Sequence, residues 1–193
     1  MPTLDELLKE AEIAHGHLCA GQVLGVRMAM LGLEKLGIED PRGRDRKRLV
    51  TYVEIDRCAT DAIGVVTGCR LGKRALKFRD WGKMAATFVD LESGKAIRIA
   101  AKETSKQKAR ELHPEIESKN QQQMLAYREM PASDLFEVQW VSVKVMPEDM
   151  PGYKADRITC AVCGEGINFK REVQRDGKIL CRACAGESYY QPL

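Results

Sequence analysis

The sequence lacks any run of eighteen consecutive apolar residues, and its first six residues are acidic and amphipathic instead of basic and then apolar. These absences exclude a conventional transmembrane helix and a secretory signal peptide. A strong charge of either sign is also missing, because 31 basic and 28 acidic side chains give a formal net charge of +3. Obligate nucleic-acid-binding proteins usually carry a larger positive excess. We therefore expect a cytoplasmic protein without membrane contact, in which nucleic acid could bind only at a local patch.

Internal repeats, low-complexity segments and an evident Ser-His-Asp arrangement are absent as well, and no carboxylate pair stands out as an acid/base couple. The chain of 193 residues is 44% hydrophobic, which is enough for one genuine core and a small additional module. Composition thus sets the size of the protein, and the function must be sought in its motifs.

Helical periodicity dominates the first part of the chain. Leucines and alanines from Thr3 to His15 recur at helical spacing, with Thr3 as N-cap and Glu6 as its capping-box partner. A second helical pattern runs over residues 20–36 and is followed by Gly37. The sequence therefore predicts a helical hairpin with a His-Leu-Cys joint.

The middle of the chain mixes strands and helices. A short apolar helix is predicted after Cys58, and residues 105–130 are polar and helical. Strands are predicted from β-branched content at Leu49–Ile55, Leu76–Phe78, Met84–Val89, Ala96–Ile99 and Leu135–Val145. Strands segregated from helices, without repeating βαβ units, favour an α+β fold. The turn-rich segment 147–152 predicts a boundary between a core domain, 1–150, and a small domain, 151–193.

Four of the seven cysteines form two Cys-x-x-Cys pairs, Cys160 with Cys163 and Cys181 with Cys184, separated by seventeen residues. This spacing is typical of a tetrahedral Zn²⁺ site with four thiolate ligands. Such a site is structural, because it leaves no coordination position open for catalysis. The alternative is a set of redox-active thiols, although two correctly spaced pairs are far more specific for zinc than one.

The segment between the two pairs contains Asp176-Gly177, which predicts a β-hairpin, and a short helix is predicted from Arg182 to about Tyr189. Knuckle, hairpin and helix in that order resemble a treble-clef finger. About forty residues cannot bury enough apolar surface to fold alone, so zinc should be required for folding. Seven basic and five acidic residues from Tyr153 to Leu193 leave the module close to neutral, which favours a protein partner or a dimer contact over nucleic acid.

The second chemical signal is His15-Gly16-His17-Leu18-Cys19, which places two imidazoles and a thiol at a helix joint. Cys19 precedes the second helix and Cys58 the third, where a helix N-terminus favours the thiolate. These residues can bind a metal ion or supply a nucleophile. They can equally be capping histidines and small buried cysteines, because this spacing is not a unique ligand signature.

Several blocks together resemble the formylmethanofuran dehydrogenase FmdE family. They are His15 to Gly21, Gly25, Arg27, Cys58 to Ile63, Thr67 to Lys73 and Asp80 to Ala85. Ala20 stands where the family often has proline, and Trp81 replaces a more usual tyrosine. The family name comes from operons for the molybdenum enzyme that fixes CO₂ onto methanofuran at the entry to methanogenesis.

The resemblance implies an α+β core, an intertwined homodimer, in some members a treble-clef zinc finger, and a cleft carrying His17, Cys19 and Cys58. From it we predict a metal-binding accessory or regulatory protein whose cleft binds a second metal ion or a small ligand. One alternative is a zinc- or thiol-dependent enzyme that uses Cys19, His17 and Cys58, with Asp61 orienting His17. The other is a transcriptional or RNA-binding regulator that acts through the finger.

Overall fold

The computed structural model describes residues 1–191 and residue 193. It divides into two compact units, Met1–Lys144 and Val145–Leu193, so the division falls earlier in the chain than the turn-rich segment 147–152. The helices of the first unit are α1 (Leu4–His15), α2 (Ala20–Leu36), α3 (Cys58–Thr67), α4 (Thr104–Leu112), α5 (Lys119–Glu129) and α6 (Ala132–Leu135). Its strands are β1 (Leu49–Val53), β2 (Leu76–Phe78), β3 (Ala85–Asp90), β4 (Ala96–Ala101) and β5 (Phe136–Val141).

The five strands form one sheet in the order β2-β1-β3-β4-β5. β1 and β2 run parallel, with α3 between them in the chain, and the other neighbours are antiparallel. The predicted α+β fold is therefore confirmed. The predicted fifth strand ends at Val141 instead of Val145, and the predicted polar helix is two helices, because Pro114 lies in the break between α4 and α5.

The predicted start and end signals of the first helices are confirmed. The Thr3 hydroxyl accepts a hydrogen bond from the Glu6 amide, and the Glu6 carboxylate accepts one from the Thr3 amide, which completes a capping box. α1 and α2 end at Gly16 and Gly37, both in the left-handed conformation. These caps fix the His15-to-Cys19 joint at the C-terminus of one helix and the N-terminus of the next.

α2 is the central helix of the core and lies directly on the sheet. Val23, Val26 and Leu33 are fully buried along it. At Gly32 an added Cβ would lie 2.5 Å from the ring of Phe88 in β3, so only glycine permits this separation between helix and sheet. None of the helices in the described part of the chain is long and apolar enough to cross a membrane.

The second unit contains two short hairpins. β6 (Ile158–Thr159) pairs with β7 (Gly166–Ile167), and β8 (Val173–Arg175) pairs with β9 (Lys178–Leu180). Asp176 and Gly177 join β8 to β9 with positive φ at both residues, as the predicted Asp-Gly turn requires. The predicted final helix is only a short helical turn, Ala183–Glu187, because Gly186 departs from helical geometry with φ of 102°.

Candidate metal centre and thiol cleft

The four predicted zinc ligands converge in the second unit. One sulfur from each of Cys160, Cys163, Cys181 and Cys184 lies within 4.8 Å of the others, and the Cys163 and Cys181 sulfurs are 3.9 Å apart. Zn–S bonds of about 2.3 Å place tetrahedral sulfurs about 3.8 Å apart, so this arrangement fits one Zn²⁺ ion. Bound zinc would neutralise thiolate charge and tie the two hairpins together.

Backbone amides support this cluster. The Cys181 amide donates to the Cys160 sulfur at 3.2 Å, and the Cys184 amide donates to the Cys181 sulfur at 3.4 Å. Hydrogen bonds from the Cys163 amide and then from the Cys181 amide lower the pKa of Cys160 to about 6. Hydrogen bonding to Cys181 and then burial raise the pKa of Cys184 to about 12. Four crowded thiols thus do not ionise together at neutral pH unless a cation stabilises the thiolates.

In the first unit, Cys19 and Cys58 line one cavity of about 360 Å³. Cys19 is the N-cap residue of α2, and Cys58 is the first residue of α3. A Cβ built on Gly21 would lie 3.4 Å from the Cys58 Cβ and 3.7 Å from the Cys19 sulfur, so both thiols flank the same glycine. Burial, and then the neighbouring Cys19 thiol, raise the pKa of Cys58, while the nearby Arg57 charge acts in the opposite direction. At Cys58 the expected helix N-terminus effect is therefore outweighed.

The predicted imidazole, His17, pairs with His15. His17 is exposed, and its ring centroid is 4.9 Å from that of His15. Asp61 forms a hydrogen bond with His15, in which the His15 Nδ1 lies 2.8 Å from the Asp61 Oδ2. The aspartate thus orients His15, whereas the sequence had suggested that it orients His17. Of the four predicted residues of the core, Cys19 and Cys58 line one cavity, whereas His17 and Asp61 each contact His15, which the predicted site did not include.

Among the described residues, the four finger cysteines are the one group of three or more His, Cys, Asp or Glu side chains whose ligand atoms lie within 4.8 Å of one another. His17, Cys19 and Cys58 do not form such a group within this chain. A metal ion at Cys19 and Cys58 would therefore have two thiolates from that pair and further positions open to other ligands.

The walls of the cavity come from segments that no signal in the sequence connects with the cysteines. Tyr127 lies at the cavity and shares a hydrogen bond with Ser105, and Gln123 lies nearby on α5. Asn120 accepts a hydrogen bond from the Ala20 amide at 3.1 Å and so caps α2 from another helix. Three cationic side chains also line the cavity, namely Arg57, Lys102 and Lys106.

The sequence also contains two clusters of basic residues, within segments 42–48 and 70–79, and neither is part of this lining. Arg42 pairs with Glu10, Arg44 with Glu39, and Arg48 with Asp90. Acidic neighbours neutralise most of the first cluster, which is the behaviour of a structural surface and not of an open anion site.

The fold and the two cysteine sites define a mixed helix and sheet core with an attached four-cysteine zinc finger. The sequence model of the family described as FmdE, Molybdenum formylmethanofuran dehydrogenase operon, matches residues 14–137. The chain therefore belongs to this family. The model of the prokaryotic dksA/traR C4-type zinc finger matches residues 156–190, which confirms the finger.

Two relatives extend this assignment. The chain is 34% identical over 211 aligned positions to a probable S-adenosyl-L-methionine-binding protein of Archaeoglobus fulgidus. The alignment includes 97% of this chain and 54% of the relative, so the chain spans about half the length of that protein. A tungsten formylmethanofuran dehydrogenase FmdE-like protein from Syntrophus aciditrophicus shares the fold, with a TM-score of 0.66, 22% identity, and coverage of 98% of this chain and 96% of that one.

Proposed function

We propose that the chain is an accessory or regulatory protein of the FmdE type, in which the core cleft binds a soft metal ion or a small ligand through Cys19 and Cys58. The supporting observation is that two thiols separated by 39 positions in the sequence line the same cavity. Paired thiolates prefer Zn²⁺ and other soft or borderline ions. His15 and His17 lie at the same helix joint and can extend the site.

The test is the metal content per chain, measured by elemental mass spectrometry on protein purified without chelator. About two metal ions in the wild type and about one in a Cys19→Ser, Cys58→Ser variant would support the cleft site. Cys69→Ala is the matched control, because Cys69 is a buried thiol outside the cavity lining. One zinc ion in all three proteins would reject a metal in the cleft.

An enzymatic role is the competing proposal for the same cleft. A reactive Cys19 would act as nucleophile or as a zinc ligand with an open position, and the His15 and Asp61 pair would position an imidazole nearby. Fast, single-site alkylation of Cys19 in metal-free protein, protected by a small ligand, would favour catalysis. Slow alkylation at the rate of an ordinary surface thiol would count against it.

S-adenosylmethionine enters as a candidate small ligand through the archaeal relative. Because the chain corresponds to about half of that protein, the ligand in its name can belong to either half. Calorimetric titration of the wild type and of the cysteine double variant with S-adenosylmethionine separates the two cases. Binding that the double variant loses would assign this ligand to the thiol cleft, and no binding would assign it elsewhere.

We further propose a homodimer, and β5 offers a suitable surface. β5 is an edge strand, and Val138 and Trp140 are exposed on it opposite the buried Ile99 and Ile97 of β4. An exposed apolar edge strand usually pairs with another chain or is covered. Light scattering coupled to size exclusion should give a dimer for the wild type and a monomer for Trp140→Glu, with Trp81→Glu as the control.

The finger is proposed to contact a protein partner, because its charge is close to neutral. Nucleic-acid binding that weakens steeply with salt and disappears when finger arginines are replaced would overturn this assignment. We also propose a cytoplasmic, reducing compartment, which is supported by seven cysteines of which none forms a disulfide.

A further inference from the structure

The thiol cavity has more basic than acidic residues in its lining. Arg57, Lys102 and Lys106 line it together with a single acidic residue, Glu103. Lys106 pairs with Glu103 at 2.6 Å, and Lys102 donates to the Ser133 carbonyl at 2.7 Å. Arg57 is exposed and forms no ion pair with any described residue. The cavity therefore has a positive excess that its own acidic residue does not balance.

A metal ion alone does not remove this excess. A divalent ion held by two thiolates is formally neutral, so the charges of Arg57 and Lys102 are still not balanced within the cavity. The ion also keeps open coordination positions, because a tetrahedral site needs four ligands. A cavity of about 360 Å³ is many times the share of one water molecule, about 30 Å³, so it has room for a small organic molecule beside the ion.

The uncharged lining offers hydrogen bonds to such a molecule. Among the described residues, the side-chain nitrogen of Asn120 has only the distant Met124 sulfur, at 3.9 Å, as a partner, while its oxygen caps α2. Gln123 is half-buried, and its amide makes no hydrogen bond to a described side chain or backbone group. Both amides can therefore donate to an oxygen atom in the cavity.

We propose that the cleft binds its metal ion together with a small oxyanion, a carboxylate or a phosphate, whose oxygen completes the coordination of the ion while Arg57 and Lys102, the two cations that Glu103 does not balance, neutralise its charge. This inference rests on the proposed metal site at Cys19 and Cys58, and it names the class of ligand that the site takes. The ion and the oxyanion bind cooperatively, because each supplies a charge or a coordination position that the other needs.

The test is a Co²⁺ titration of protein whose finger is already filled with zinc. Thiolate-to-cobalt absorption reports the cleft, and the titration is run in chloride, in acetate and in inorganic phosphate at equal ionic strength. We expect one oxyanion to tighten apparent Co²⁺ affinity by about tenfold and to change the ligand-field bands. Tightening by acetate alone indicates a carboxylate ligand, and tightening by phosphate alone indicates a phosphate ligand.

Arg57→Gln, Lys102→Gln removes the two cavity cations that Glu103 does not balance and should abolish most of the tightening. Lys95→Gln, on the exposed turn between β3 and β4, should keep it. The inference is wrong if neither oxyanion changes the cobalt affinity, or if the oxyanion raises that affinity equally in the double variant and in Lys95→Gln. Either result would leave the metal site intact. Absence of cobalt binding at the thiols would overturn the metal site as well, so the two failures are distinguishable.

Discussion

Gly25 of α2 packs on the backbone of Ala59 in α3, where an added Cβ would lie 2.5 Å from the Ala59 carbonyl oxygen and 2.8 Å from its Cα. Backbone atoms cannot rotate out of the way as a flexible side chain can. This close approach brings the first turns of α2 and α3 together, and those turns carry Cys19 and Cys58. The thiol pair therefore depends on a glycine six residues beyond Cys19.

Gly25→Ala should lower the free energy of unfolding by about 1–3 kcal/mol, because the added methyl group forces the two helices apart. Urea denaturation followed by far-UV circular dichroism measures this change. Gly21→Ala is the matched control on the same helix, since its Cβ would make ordinary contacts, the nearest at 3.4 Å. An equal loss of stability in both variants would show that the helix contact at Gly25 is not the cause.

Arg27 joins α2 to the end of α5. Its guanidinium donates to the carbonyls of Tyr127, Arg128 and Met130 at 2.6, 3.1 and 2.9 Å, and burial lowers the pKa of Arg27. Arg27→Met should cost about 2–3 kcal/mol, because charged hydrogen bonds are lost and carbonyls are left unpaired. Hydrogen exchange should also speed up along α5.

Arg27→Lys should recover only part of this loss, because an ammonium group cannot reach three carbonyls with a fixed fork of donors. Urea denaturation of the two variants compares them directly. If lysine restores full stability, the positive charge alone matters and the fork geometry does not.

Asp90 gives the core a predictable pH dependence. Burial would raise the pKa of Asp90, but hydrogen bonds from Arg48, Ser93 and the Glu92 amide together lower it from 3.8 to about 2. A carboxyl group with a lowered pKa contributes stability above its unfolded pKa and loses that contribution as the pH falls through its folded pKa. The loss should therefore occur between pH 3.8 and about 2.

Asp90→Asn should lower the free energy of unfolding by about 2 kcal/mol at pH 7 and by much less at pH 2. Urea denaturation followed by the circular dichroism of the core helices gives the free energy of unfolding at pH 7 and at pH 2. A penalty for the variant that stays constant from pH 7 to pH 2 would mean that the Asp90 charge contributes nothing.

Removal of zinc should unfold the finger and leave the core folded. Ile167 and Leu180 are the apolar side chains buried in the finger beside Cys160, and so small a core cannot hold the hairpins without the ion. Chelation or Cys160→Ser should open residues 153–193 to protease while helical circular dichroism persists. Val162→Ser, at an exposed position of the first knuckle, is the control. Resistance of the metal-free finger to protease would contradict a structural role for zinc.

Local signals in the sequence predicted helix ends and turns well, because neighbouring residues alone determine the backbone geometry there. The Thr3 and Glu6 capping box, the glycines after α1 and α2, and the Asp176-Gly177 turn all appear in the structure. The four zinc ligands were predictable because the Cys-x-x-Cys spacing is itself the geometry of the site. The short helical turn after Cys181 was overestimated because Gly186 interrupts it.

The cleft was predictable only in part, since its parts meet through tertiary packing. The motif blocks identified Cys19 and Cys58, but the lysines of the cavity look like ordinary solvated helix positions in the sequence. Nothing local distinguishes His15 from His17, and only the packing of α1 against α3 shows that Asp61 bonds to the former. Pairings between distant segments carry no periodic signal, which is why these assignments need a structure.

Cys69 is 2% exposed, receives a hydrogen bond from the Thr51 hydroxyl at 3.5 Å, and has its pKa raised by burial. A thiol reagent can reach it only when the core opens, whereas the cleft thiols of metal-free protein react from the folded state and the finger thiols react after zinc leaves. The seven cysteines thus separate into three kinetic classes. Cys69 alone forms the slowest class, and the rate at which its sulfur is modified reports how often the native core opens.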